Sequence, residues 1–301
     1  MTVVRALIAR PLPALALAVV AIVVCAALLA PLIAPYPPNA PDFDAMLQPP
    51  SLAHWAGTDE LGRDIFSRLI WGARPSLLAA VAIVGIGAFA GLLIGSFSGM
   101  KAGLVDAGLM RLMDVMLALP GLVVALALTA ALGPSLTNAV LALGVLSIPG
   151  YTRVARGQAL AIREREYVQA ARVQGASDWM LLTRHIIPNV LPVLVIYMTF
   201  ALGGALLASS ALSFIGLGQQ PPHAEWGAMV GASRNLFLSA WWYVTLPGVA
   251  IVLTAVSANI LGDALRDLLD PRAAQAGASS LAGSTVAAVT PASASPAGQG
   301  V

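Results

Sequence analysis

Long apolar runs alternate with short polar ones along most of this chain. Runs near the ~20 residues a helix needs to cross a bilayer fall at about 12–34, 76–98, 110–132, 136–152, 189–217 and 243–262. The fourth is the weakest, being short and carrying Asn138 and Pro149, and the third carries Arg111 and Asp114. Arg5 and Arg10 precede the first run as the charged end of a signal peptide would. That run is longer than a usual signal core of about 7–15 residues, so the pattern predicts a retained anchor helix.

Composition turns this set of helices into a class. Hydrophobic residues make up 58% of the 301, charged residues 10%, and mean hydropathy is +0.85. A soluble chain carries about 25% charged residues, so too little polar surface exists here to cover a fold in water. Lipid needs no such cover. The expected fold class is an all-α membrane protein with six transmembrane helices.

Basic residues predict which way the helices run, because cytoplasmic loops are enriched in Lys and Arg. With the N-terminus inside, that side holds Arg5, Arg10, Lys101, Arg111, Arg153, Arg156, Arg163, Arg165, Arg172, Arg184, Arg266 and Arg272. The other side holds Arg63, Arg68, Arg74 and Arg234. Both termini are therefore expected in the cytoplasm. Residues 1–75 read as anchor helix plus external loop, and 76–272 as the transmembrane core. Residues 273–301, rich in Ala, Ser, Gly, Thr and Pro, read as a disordered tail.

Several chemistries lack their residues. The net charge of +2 has no basic stripe for nucleic acid, and the single Cys25 excludes an internal disulfide. His54, His185 and His223 are scattered without ligand spacing, so no metal site is expected. In Gly95-Ser-Phe-Ser-Gly99, Phe97 stands where a hydrolase nucleophile would be. A phosphate loop requires Gly-Lys-Ser/Thr, yet Lys101, the one lysine, follows Met100. No catalytic residue and no cofactor is expected in this chain.

Five local patterns carry more information. Gly87, Gly91, Gly95 and Gly99, with Gly103 continuing the register, form a smooth helix face for close packing. In 57–74, Ile65, Leu69 and Ile70 among Arg63, Asp64, Arg68 and Arg74 predict an amphipathic helix at the outer interface. Arg111 stands at i−3 to Asp114 and predicts an interfacial ion pair with a structural or gating role. Arg266 is placed to reach Asp263 and Asp270 in the same way. The fifth is the cytoplasmic loop of about 152–188. Its first helix, about 163–174, places Tyr167, Ala170, Ala171 and Gln174 on one face, and Gly175 ends it in a left-handed cap. Ser177 then caps a second helix of about 178–186, and Pro188 tolerates the turn into the next span. A small-residue face flanked by charge suits docking into a protein groove.

Residues 166–188 resemble the docking loop of ABC-importer permeases, in which Glu-Ala-Ala precedes a Gly and a Pro lies thirteen beyond it. Gly175 and Pro188 keep that spacing, Ala170 and Ala171 supply the alanines, and Ala176 and Ser177 follow the glycine. The family's Glu falls on Gln169 here, and Glu166, one turn earlier, is the alternative carboxylate. The segments Gly57-Thr-Asp-Glu-Leu-Gly-Arg-Asp64, Leu212-Ser-Phe-Ile-Gly-Leu-Gly218, Trp226-Gly-Ala-Met229 and Leu261-Gly-Asp-Ala-Leu-Arg266 are similar to the C-type permease of dipeptide and oligopeptide importers. The resemblance implies a type I ABC-importer permease fold in the bacterial inner membrane. It implies as partners a second homologous permease, two ATP-binding subunits that hold ATP and Mg, and an external substrate-binding protein. Asp59, Glu60, Arg63 and Asp64 would face that binding protein. Nickel importers share the architecture, so the cargo stays open between peptide and metal complex. A secondary transporter is the rival class, and it would show several midplane acids where this chain has Asp114.

Overall fold

The structure, a computed structural model, describes residues 3–269. The expected tail, and the expected partner Asp270 of Arg266, lie outside them. The described helices are α1 (Val3–Ile8), α2 (Pro11–Leu28), α3 (Ala30–Ile33), α4 (Ile65–Lys101), α5 (Gly103–Ala118), α6 (Gly121–Leu132), α7 (Leu136–Arg163), α8 (Glu166–Val173), α9 (Asp178–Met180), α10 (Ile187–Phe214), α11 (Trp226–Ser233) and α12 (Trp241–Leu269). No strand occurs among the described residues. Four helical stretches are long and apolar enough to cross a membrane: Pro11–Leu28, Ile65–Lys101, Asp178–Phe214 and Trp241–Leu268. The pair α5 and α6, taken together, makes a fifth.

Five expectations about elements need correction. Residues 57–64 are loop rather than the start of a surface helix, and α4 runs unbroken through 37 residues past Pro75. At 1.5 Å per residue that is about 55 Å, well beyond the ~30 Å hydrocarbon core. The charges of 57–74 do not hold a helix flat on the surface, because Arg63 and Arg68 are buried against Asp59. The apolar run 110–132 is not one rod. Leu119 turns extended and Pro120 follows, so α5 and α6 meet at 84°, as expected before a residue that forbids α geometry in its predecessor.

The weak fourth run extends to Arg163, so α7 takes up a third of the expected loop. After the three-residue α9 the chain forms a π-helix, Leu181–Ile186, and joins α10 without a turn. Pro188 therefore lies inside the continuous helical stretch Asp178–Phe214, where its missing N–H leaves one carbonyl of the preceding turn without its helical donor. The wider π-helical turn just before it relieves the clash of its ring with the preceding turn. Gly103 leaves the glycine register altogether: Ala102 (φ +50°) and Gly103 (φ +67°) make the corner between α4 and α5.

The core is built on α4. Its glycine face lies against α7 so closely that side chains have no room there. A Cβ at Gly91 would stand 2.8 Å from the Thr152 backbone nitrogen, and one at Gly99 would stand 2.7 Å from the Ala159 Cβ. Ala155 and Ala159 are fully buried in that seam. Helix α10 packs on α4 and α12, with Val190, Leu194, Leu206 and Leu212 buried. Without a hydrophobic drive between helices in lipid, such backbone approach is the main source of cohesion.

Candidate functional site

At one end of the bundle, the segment after α7 folds into a small helix held at few points. Glu166 opens α8, and Val168 is its one fully buried side chain. Tyr167, Ala170 and Gln174 face outward, and Ala171 is partly buried. Gln169 turns inward, donating from Nε2 to the Arg163 carbonyl at 2.9 Å, so it closes the end of α7. Of the two alternatives at the acidic position, Glu166 is the exposed one.

The helix ends in a Schellman motif. The Ala176 amide donates to the Ala171 carbonyl at 3.0 Å and the Gly175 amide to Arg172 at 3.0 Å. Gly175 has φ +86° with open space where a side chain would go. The Ser177 hydroxyl accepts from the Met180 amide at 3.3 Å, the expected cap.

Ion pairs tie this end together. Lys101, closing α4, meets Asp178 of α9 at 2.6 Å. Asp114 pairs with Arg153 of α7 at 2.6 Å and not with Arg111, because the α5–α7 approach places the longer-range partner better. Both of these pairs are about half exposed. Deeper in, Arg156 holds Asp106 with two bonds of 2.5 and 2.6 Å, and the Ser98 hydroxyl donates to the same carboxylate at 2.5 Å. That cluster joins α4, α5 and α7. It escapes local sequence patterns because Arg156 is fifty residues from its partner. Its one signal is a lone acid at the start of an apolar run.

At the opposite end, the acidic loop residues do converge, but inward. Asp59 is fully buried. Its Oδ1 accepts from the Leu61 and Arg63 amides, both at 2.9 Å, and its Oδ2 takes the Arg63 side chain at 2.6 Å. Asp64 caps α4 by accepting from the Ser67 amide at 2.7 Å, and it meets His54 at 3.0 Å. Asp59, Arg63 and Asp64 therefore form a loop-fastening knot rather than a display. Glu60, with 37% of its side chain exposed, is the member that reaches the surface.

Nearby, Glu225 is 1% exposed and caps α11, accepting from the Gly227 and Ala228 amides at 3.1 and 2.8 Å and from the Ser76 hydroxyl at 2.9 Å. Burial pushes its carboxyl above the ordinary range, against the lowering pull of those donors. Glu225 is the only acid between the last two apolar runs, and that was its sequence signal.

This architecture of spans, glycine seam and capped surface helix has counterparts. Residues 91–275 match the family described as "binding-protein-dependent transport system inner membrane component". Residues 2–50 match the N-terminal TM domain of oligopeptide transport permease C. The chain is 50% identical over 263 residues to the probable D,D-dipeptide transport system permease protein of Escherichia coli, covering 87% of this chain and 88% of that one. It is 43% identical over 257 residues to the di/tripeptide transport system permease protein of Pseudomonas aeruginosa, covering 83% and 85%. The crystal structure of an amino acid ABC transporter with histidines shares the fold at a TM-score of 0.52 and 18% identity, over 68% of this chain and 95% of that one. By its membrane helices and by both family matches, this chain belongs to the inner membrane components of binding-protein-dependent transport systems.

Proposed function

We propose that this chain is one of two permease subunits of an ATP-driven peptide importer of the bacterial inner membrane, with six spans and both termini cytoplasmic. Relatives named for dipeptide and di/tripeptide transport support peptide as the cargo. In this reading α7 supplies the sixth span through residues 136–152, shielded between α4 and α10 where its polar residues need not meet lipid. ATP and Mg belong to two partner subunits, and a separate binding protein delivers the cargo outside.

The observation that carries the docking assignment is α8. A helix of eight residues does not persist alone in water. Here it is fixed by Val168 within and the Schellman motif at its end, while Glu166, Tyr167 and Ala170 face outward on the basic side of the bundle. It is built to be seated in something.

Gly175 supplies the test. A β-branched residue at φ +86° costs roughly 1–2 kcal/mol of backbone strain, too little to unfold packed spans and enough to misaim a short helix. Gly175→Val should leave the protein in the membrane while weakening co-purification of the ATPase and peptide uptake. Gly175→Asn, which tolerates that conformation better, should do less harm. Normal uptake by Gly175→Val, or loss only through disappearance of the protein, would remove the docking role.

A further inference from the structure

Half-way along the spans, the glycine seam meets a cleft that the docking and knot residues do not touch. It has a volume of about 330 Å³ and lies between the middles of α4, α7 and α10, beside the α5–α6 corner. That volume is within the ~300–1,000 Å³ of small-molecule sites. Ile83, Leu143, Ser147, Tyr151, Tyr197 and Gly204 are among its lining residues, and none of the lining residues is charged.

Its walls are apolar apart from hydroxyls, and one of these has nothing to bond. Tyr151 is 2% exposed, and its Oη has no hydrogen-bond partner. A buried donor left so costs about 1–3 kcal/mol, and it is held rather than free to turn away. Its ring is seated in the notch left by Gly87 and Gly91, where a Cβ at Gly87 would stand 2.7 Å from Tyr151 Cε2. Tyr197 braces the ring edge-on at 5.0 Å and 84°. Ser147, one turn before Tyr151 on the same face of α7, spends its proton on the Gly144 carbonyl at 2.7 Å. Its oxygen is then left only to accept.

We infer that this cleft is a subsite of the translocation path for the uncharged peptide unit of the cargo, with Tyr151 Oη donating to the peptide carbonyl and Ser147 Oγ accepting the peptide N–H. The inference rests on the peptide-importer reading. With no ionic group in the walls, the charged ends of a peptide are left to other parts of the path. A wall that bonds one neutral amide also binds weakly enough to release it.

The test uses the whole complex, both permeases with ATPase and binding protein, in liposomes. The probes are dialanine and dialanine methylated on its amide nitrogen. Tyr151→Phe should slow import of both probes by about two- to tenfold, the weight of one neutral hydrogen bond, because both keep the carbonyl. Ser147→Ala should instead narrow the preference for dialanine over its N-methyl form, since only that N–H is read. Gly204 has open space before it, so Gly204→Leu fills the cleft without a clash and should block import while the protein stays in the membrane. Gly248→Leu, the same change in open space outside the cleft, should import normally. Should Tyr151→Phe fail to accumulate, Gly204→Leu decides. Wild-type rates for Tyr151→Phe and Gly204→Leu would overturn the subsite and leave the peptide reading intact. A wild-type complex that imports no peptide would overturn that reading and the subsite with it.

Discussion

At the scale of single residues, the acids of this protein divide by what surrounds them. Asp59 is buried among amides and an arginine, whereas the donors bonded to the buried Glu225 are two amides and the Ser76 hydroxyl, all of them neutral. Desolvation outweighs the donors at Glu225, so its proton is held more tightly in the folded protein than in the unfolded chain. Stability from that group is therefore full below the unfolded value, 4.5, and is lost as pH rises through the higher folded value. Glu225→Gln keeps the size and does not titrate. The melting temperature of the wild type in detergent, relative to Glu225→Gln, should fall as pH rises above 4.5. A relative gain over the same range would mean that the carboxylate is the form the fold prefers.

At the scale of elements, α4 concentrates the structural demands. Gly91 and Gly85 lie on the same helix, but a Cβ meets the backbone of Thr152 at 2.8 Å from Gly91 and nothing within 4 Å from Gly85. Gly91→Ala should cost about 1–3 kcal/mol through overpacking, while Gly85→Ala should be neutral or slightly stabilising in a helix. Membrane abundance and melting of the two variants check this, and equal behaviour would disprove the seam. The four-residue spacing of Gly87, Gly91, Gly95 and Gly99 made the seam legible in advance. So did Gly175 as a cap, because each depends on local geometry that sequence records directly. The bend at Leu119–Pro120 was hidden because hydropathy sums over a window and is blind to one dihedral. Arg153 for Asp114, and Arg156 for Asp106, were hidden because helix periodicity sees only neighbours on one helix. The inward turn of Asp59, Arg63 and Asp64 was missed for a related reason. Charge beside an apolar run reads as surface unless a distant partner is known to neutralise it.

At the scale of the whole molecule, the basic ends of α4, α7 and α8 gather on one side with Lys101, Arg153, Arg156 and Arg163, away from the Asp59 knot and α11. A reporter active only in the cytoplasm, joined after α12, should therefore work, and the same reporter inserted near Asn39 should be silent. The opposite pattern would invert every assignment of side. The α5–α6 corner bears on what its span can face in the membrane. The Val123 and Val124 amides after it donate to the Pro120 carbonyl at 2.9 and 3.1 Å, but a helix end and a helix start meeting here leave other backbone groups without helical partners, and Leu117, Leu119, Leu122 and Val123 around it are exposed. Hydrocarbon offers such groups no hydrogen bonds, at several kcal/mol each. The corner is therefore the part of this span least suited to bare lipid.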